Sequence, residues 1–476
     1  MDRLTDSISP LPPMPSLTTF GRIRDWWHRL AASFTPSRGK TAADRATSRV
    51  VAQLRQLIED SWAQRGGEIS ARARASRVAA IYRGASLPQR AAILTLITHE
   101  FAPDRSELAA AIAQMQAAGD DDDLGRAEAR LRLALDAPRA KFLAQFNLLS
   151  DGVKFLVDLR SDLLGLLPQD PGLEVLKVEL DGLLERWFDP GFLELRRITW
   201  QSPALVLEKL MTYEAVHPIA SWNDLRNRLD TDRRCYAFFH PRLPDEPLIF
   251  VEIALLKGAP GNVQFLLDES APVHDPRAAD TAVFYSISNT QKGLRGISFG
   301  NLLLKRVIED LRRDLPKLKI FATLSPLPGF RKWLDQGLAE GRELLPAAEV
   351  SRFASIIGHP EPQLAIADAL ARPDWHTDDR LSEALQPVLE RLCARYLLRE
   401  KTDGHPLDPV AHFHVTNGAR VNRIFWLADT SARGFRQSYG LMVSYRYDLE
   451  DVDRNHERYL NGGRVPAAGR VSRLLD

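Results

Sequence analysis

The sequence predicts a multi-domain protein, with an all-α amino-terminal domain followed by an α/β domain. Three observations predict it. The chain has 476 residues, more than one ordinary hydrophobic core organises. From about 41 to 190, apolar residues recur at helical spacing without strand-like alternation. After Trp200 the texture changes to short apolar and aromatic runs bounded by Pro and Gly.

Residues 1–40 are rich in Pro, Ser and Thr, with Pro10, Pro12, Pro13 and Pro15 close together. They read as a disordered or loosely docked arm whose second half Trp26 and Trp27 anchor. The helical domain spans 41–190. Val51, Leu54, Leu57 and Ile58 share one helical face, and Leu108, Ile112 and Met115 another. Phe155, Leu156, Leu159, Leu163, Leu166 and Leu167 form a third stripe, and Asp120–Asp123 reads as a solvated loop between helices. The second half, 191–476, offers strands at Cys235–Phe239, Leu248–Leu256 and Ala282–Ser288. A loop punctuated by Gly293, Gly296 and Gly300 follows, then an amphipathic helix from about Asn301 to Leu315. Leu318–Leu324 reads as a short buried strand stopped by Pro326 and Pro328. Residues 345–400 read as helical and 411–449 as aromatic-rich strands.

Composition narrows the function. The 63 basic and 62 acidic side chains give a net charge of +1, which supplies no reason to expect bulk nucleic-acid binding. Cys235 and Cys393 lie far apart without CxxC spacing, so neither a disulfide framework nor a zinc site is expected. No run approaches the ~20 apolar residues that span a bilayer. Asp2, Asp6 and Asp25, with no apolar run beside them, do not make a secretory or transit signal. The tripeptide Ser472–Leu474 is followed by Leu475 and Asp476, so it is not a terminal peroxisomal address. A cytoplasmic protein is expected.

Chemistry concentrates in three places. The loop Gln291–Asn301 joins a strand to a helix. Its glycines admit a ligand to the backbone, and the helix start offers free N–H groups, which together suit a pyrophosphate. Its spacing is neither GxGxxG nor a Walker A loop, and a plain Gly-rich turn is the other reading. Inside it, Gly296-Ile-Ser298-Phe-Gly300 matches the G-x-S-x-G elbow of hydrolases. The polar, glycine-broken Gln291–Arg295 ahead of it argues for coincidence. His412 and His414 would share one face of a strand, as some metal ligands do, but no third ligand is near and no metal is expected. Arg433, Arg436 and Arg446 read as anion contacts or surface charges.

Three long motifs decide among these readings: Tyr285-Ser-Ile-Ser-Asn-Thr-Gln-Lys-Gly-Leu-Arg-Gly296, Leu324-Ser-Pro-Leu-Pro-Gly-Phe330, and Asp408-Pro-Val-Ala-His-Phe-His-Val-Thr-Asn-Gly-Ala419. Together with Glu214-Ala-Val-His-Pro218, Arg233-Arg-Cys-Tyr236 and Tyr439-Gly-Leu-Met-Val-Ser-Tyr-Arg-Tyr447, they make the chain resemble the malonyl-CoA decarboxylase family. The likeness is strong over about 195–460. It implies a GNAT-like acyl-CoA-binding catalytic domain over 191–476, preceded by a helical oligomerisation domain. It implies a CoA pyrophosphate loop at Arg295, Gly296, Ile297, Ser298, Phe299, Gly300 and Asn301, and a catalytic pair of Ser325 and His414. It further implies a homotetramer, malonyl-CoA and acetyl-CoA as ligands, and no cofactor. Some members carry an acidic residue where this chain has Ser298 and a cysteine where it has Ala204. The second difference argues against an inter-subunit disulfide through Cys235.

The implied chemistry is self-sufficient. Loss of carbon dioxide from malonyl-CoA pushes electrons into the thioester carbonyl, so the substrate is its own electron sink. The protein must orient the carboxylate, stabilise the enolate oxygen and protonate carbon. His414 is expected as the general acid and Ser325 as its hydrogen-bonding partner. An acyl-CoA:amine acyltransferase, a silent acyl-CoA sensor and a thioesterase built on Ser298 are the competing readings.

Overall fold

The computed structural model describes residues 42–62, 67–258, 261–297 and 300–476. The expected arm over 1–40, with Trp26 and Trp27, lies outside the described residues, as do Ser298 and Phe299. The chain divides into two compact units between Leu180 and Asp181.

The first unit is helical, with helices at 42–62, 67–84, 87–100, 105–117, 121–135, 138–144 and 152–166, and the 174–187 helix begins in it. The stripe read at helical spacing is inside: Phe155, Leu156, Leu159 and Leu163 are buried. Leu54, Leu57 and Ile58 are buried as well. The face read at Leu108, Ile112 and Met115 is not. Only Ala111 of that helix is buried, and Ile112 is 42% exposed. The acidic run is also not a loop. Asp120 caps the 121–135 helix by accepting the N–H of Asp123 at 2.7 Å. Asp121, Asp122 and Asp123 then occupy its first turn, where the positive end of the helix dipole favours acids.

The second unit is built on a seven-stranded sheet: β1 (Glu194–Ile198), β2 (Arg233–Phe239), β3 (Ile249–Leu256), β4 (Thr281–Asn289), β5 (Ile320–Thr323), β8 (Arg420–Phe425) and β9 (Met442–Arg446). A separate small hairpin holds β6 (Lys401–Thr402) and β7 (His405–Pro406). The large sheet runs β1-β2-β3-β4-β5-β9-β8, with only β4 and β5 parallel. β2 and β3 are buried along their whole length, and apart from Arg233, Arg234 and Glu252 they are apolar or aromatic throughout. Helices 204–213 and 222–228 bury Val206, Leu207, Leu210 and Leu225 against Cys235, Ala237 and Phe239. The amphipathic helix, Gly300–Asp314, buries Leu303, Leu304, Val307, Ile308 and Leu311. Its polar side is tied to the sheet where Asp310 accepts the Tyr236 hydroxyl at 2.8 Å. This is the α/β arrangement that the sequence predicts for the second half of the chain. The region 411–449 departs from its reading as strands: only β8 and β9 are strands, and 409–416 and 432–438 are helices.

Candidate active site

The site opens where two strands part. β4 and β5 run parallel from Thr281↔Ile320 to Phe284↔Thr323. One further hydrogen bond, from Leu324 N–H to the Phe284 carbonyl, closes that ladder at 3.0 Å. Ser325 stays paired with β9 alone, donating its N–H to Val443 O at 2.8 Å and accepting the Val443 N–H at 2.9 Å with its carbonyl. Opposite the splay, β4 carries a bulge: Glu252 pairs with Ser286 and Ile253 with Phe284, leaving Tyr285 as the extra residue. A cavity of about 230 Å³ fills the wedge, lined by Phe284–Ile287 on β4, by Ser325 and Pro326, and by Pro409, Val410, Phe413 and His414.

His414 arrives on a helix, not on a strand. Asp408 caps that helix by accepting the Ala411 N–H at 2.8 Å, and Pro409 stands at its first position. Gly418 ends it with φ +77°, and a Cβ there would lie 2.2 Å from Val452 O, so only glycine fits. The helical geometry separates the two histidines that a strand would have aligned. His412 Nδ1 meets the Tyr459 hydroxyl at 2.8 Å, and His405 Nδ1 meets the same hydroxyl at 3.2 Å. His414 points to the cavity instead.

There it joins a chain of hydrogen bonds. Its Nδ1 meets the Tyr447 hydroxyl at 2.7 Å and its Nε2 meets Ser325 Oγ at 3.3 Å. Ser325 Oγ donates to Thr323 Oγ1 at 2.9 Å, which also accepts the Tyr445 N–H at 3.0 Å. The imidazole stacks on the Tyr445 ring, with centroids 4.3 Å apart. No carboxylate pairs with His414 among the described residues, and burial pulls its pKa down to about 3. Burial also pushes the Tyr447 phenol well up. The resting chain is therefore neutral throughout.

The other sequence-predicted residues sit on the approach to the Gly300–Asp314 helix. Arg295 and Gly296 are exposed, Ile297 is buried, and Gly296 takes φ +89° with open space around its Cβ position. The helix begins at Gly300 and includes Asn301. β4 ends at Asn289 and a 3-10 turn at Lys292–Leu294 intervenes. The sharp strand-to-serine turn of a hydrolase elbow is thus not the path into residue 298. Gln291 serves the scaffold, donating to Glu246 at 2.7 Å. Arg433 donates to the Ala215 carbonyl at 2.7 Å and Arg446 to Asp448 at 2.7 Å. Sequence reasoning missed Thr323 and Tyr447. Both were findable by alternation: Thr323 lies two residues from Ser325 on an extended segment, and Tyr447 two beyond Tyr445 at the end of β9.

Residues 191–476 match the family described as malonyl-CoA decarboxylase C-terminal domain, and residues 101–188 match its N-terminal domain. The mitochondrial malonyl-CoA decarboxylase of Mus musculus is 40% identical over 408 residues, 82% of each chain. That of Anser anser anser is 37% identical over 467 residues, covering 93% of this chain and 92% of its own. The crystal structure of malonyl-CoA decarboxylase from Rhodopseudomonas palustris is 40% identical with a TM-score of 0.80, covering 90% of this chain and 99% of that one. The Agrobacterium vitis protein gives 39% and 0.79, over 89% and 100%.

Proposed function

The chain belongs to the malonyl-CoA decarboxylase family, and from that premise we propose that Ser325 and His414 carry the conversion of malonyl-CoA to acetyl-CoA and carbon dioxide. The observation that supports these residues is the chain Tyr447–His414–Ser325–Thr323 set against the cavity where β4 and β5 part. With Tyr447 donating to Nδ1, His414 holds its proton on Nε2, beside Ser325 Oγ. The Ser325 hydroxyl turns from Thr323 to the malonyl carboxylate and holds it out of the carbonyl plane. Val216, Phe284, Pro326 and Phe413 make the wall largely apolar, so it holds neutral carbon dioxide better than a carboxylate. The charge moves into the thioester oxygen, and His414 Nε2–H protonates the resulting carbanion. The thioester is the electron sink, so the reaction calls on no cofactor or metal.

The same reading puts the CoA pyrophosphate on Arg295–Asn301, where the start of the Gly300–Asp314 helix supplies N–H donors. A Gly296→Val chain meets a ~1 kcal/mol positive-φ penalty and distorts that loop. It is expected to weaken malonyl-CoA, acetyl-CoA and CoA alike, roughly fivefold, by calorimetric titration. Unchanged affinity moves the pyrophosphate elsewhere. We assign the first unit to assembly of a homo-oligomer, a tetramer by resemblance. The exposed Ile112, Leu124, Leu133 and Leu135 of helices 105–117 and 121–135 support that, and sedimentation of the intact chain tests it. The two buried, free thiols fit a reducing compartment such as the cytoplasm, although the animal relatives are named mitochondrial. Fractionation of cells decides between the two.

Carboxyl-labelled malonyl-CoA tests the activity directly. Labelled carbon dioxide and acetyl-CoA are expected in equal amounts with no acceptor present. Free CoA thiol as product, or turnover only with an added amine, overturns the proposal.

A further inference from the structure

Decarboxylation consumes a proton. Malonyl-CoA leaves its carboxylate as neutral carbon dioxide, so each acetyl-CoA formed takes one proton from solvent. During the reaction the acyl group occupies the space in front of His414 Nε2, which makes that side a poor route for resupply. The other ring nitrogen is engaged by Tyr447 at 2.7 Å, and Tyr447 does not line the substrate cavity. It lines a second cavity of about 200 Å³, which shares no lining residue with the first and is walled also by Lys305, Thr416, Asn417, Asp453 and His456.

That second cavity is polar where it meets the histidine helix. Asn417 is only 8% exposed. Its Nδ2 donates to the Phe413 carbonyl at 2.6 Å, while its Oδ1 has no protein partner. A buried amide oxygen in a space of this size is met by water, at ~30 Å³ per molecule. Lys305, Asp453 and His456 supply further donors and acceptors around it.

We infer that this second cavity is the proton-supply side of the active site, with Tyr447 passing its hydroxyl proton to His414 Nδ1 while His414 Nε2 protonates the enolate, and with cavity water restoring the phenol. The step balances. The enolate carbon gains the Nε2 proton, the Nδ1 lone pair takes the Tyr447 proton, and the phenolate oxygen takes one from water. Once acetyl-CoA leaves, Nδ1–H returns its proton through Tyr447 to the cavity and Nε2 takes one from the water that enters. The donor is thereby restored and one solvent proton is consumed per cycle. The electrostatics agree. Burial disfavours the imidazolium, so a donor that must give up Nε2–H needs Nδ1 filled in the same event. Burial equally disfavours a lasting phenolate at Tyr447, so water within reach of it is required.

This inference rests on His414 as proton donor, and its test separates the two. The variants are His414→Asn, Tyr447→Phe, Asn417→Leu and Ile308→Phe. The last two fill the second cavity, and Ile308→Phe does so without touching a polar group. Each is first shown by calorimetry to bind CoA as the parent does. The readouts are turnover, its dependence on the deuterium fraction of the solvent, and return of labelled carbon dioxide into malonyl-CoA. The parent is expected to show a bowed solvent-isotope dependence, from more than one proton in flight. Tyr447→Phe is expected to slow turnover about tenfold or more, straighten that dependence and raise label return, because a longer-lived enolate recaptures carbon dioxide. Both cavity-filling variants are expected to shift in the same direction, by severalfold. If His414→Asn keeps parental turnover, the site reading itself fails. If His414 is essential but both cavity-filling variants match the parent in all three readouts, Tyr447 only orients the imidazole and the proton route is overturned.

Discussion

Two buried polar clusters flank β4 and are made of opposite materials. On one side the Glu214 carboxylate accepts the hydroxyls of Ser286 at 2.7 and 2.8 Å and Ser288 at 3.1 Å, with the N–H groups of Val216 at 2.9 Å and His217 at 2.8 Å. Beside it Arg228 bridges Asp224 at 2.7 Å and Glu252 at 3.0 Å. On the other side, Tyr447, His414, Ser325 and Thr323 form a chain with no ion in it. The first cluster fastens the 214–218 turn to the wall of the cavity through hydrogen bonds and ion pairs. In the mechanism we propose, the neutral chain handles a charge that arrives with the substrate and moves during the reaction. A fixed cation beside the malonyl carboxylate would stabilise the ground state and raise the barrier to losing it. The lesson is a division of materials: ion pairs brace the wall, and the chain proposed to react is built of neutral groups.

Removing the neutral chain should have the largest effect. His414→Asn and Ser325→Ala are each expected to lower turnover by about a hundredfold or more, the scale of a positioned proton donor, with CoA affinity nearly unchanged by titration. Turnover near that of the parent in both would dissolve the contrast. Removing the brace should act on stability instead. Glu214→Ala strands two buried hydroxyls and two N–H groups, and a loss of roughly 3 kcal/mol in denaturant unfolding is expected. Turnover per folded molecule should stay within severalfold. A variant of full stability but hundredfold lower turnover would move Glu214 into the chemistry.

The smallest effect concerns pH. Burial lowers His414 to about 3 and His217 to about 4, against an ordinary value of 6.5. Below 6.5 the unfolded chain gains protons that the folded chain refuses, so these groups make stability fall as pH drops from about 6.5 towards 4. Above 6.5 they contribute no slope. His217→Gln should flatten the acid side of the stability curve measured by denaturant midpoints. An unaltered slope would show that His217 does not titrate differently on unfolding.

Legibility varied with the range of the signal. The helices of the first unit and strands β2, β3 and β4 were readable, because each carries its own period or its own apolar run. β1 was not. Glu-Leu-Arg-Arg-Ile is a short, charged, half-exposed edge strand, and such edges look like loops. Residues 409–416 were misread because Phe, Val and Thr suggest a strand. The stronger local signal was Asp408 followed by Pro409, a cap and a first-turn proline. Asp120 ahead of Asp121–Asp123 misled in the same way. The proposed pair Ser325 and His414 was suggested only by the long motifs, since a serine before Pro326 otherwise looks like a turn.

Local order was therefore settled in the chain itself, since helix and strand periods, caps and turn residues act over a few neighbours. The site was settled by pairings that no local period encodes. Ser325 and His414 lie 89 positions apart, and His414 and Tyr447 lie 33 apart. They meet because the segment that includes β5 leaves its parallel partner β4 after Leu324 while keeping its antiparallel pairing with β9, which opens the wedge and carries Tyr447 beneath the histidine helix. Burial there also keeps the imidazole neutral and pushes the Tyr447 phenol further from ionisation. A pKa is a property of surroundings, and the surroundings exist only once the sheet has formed.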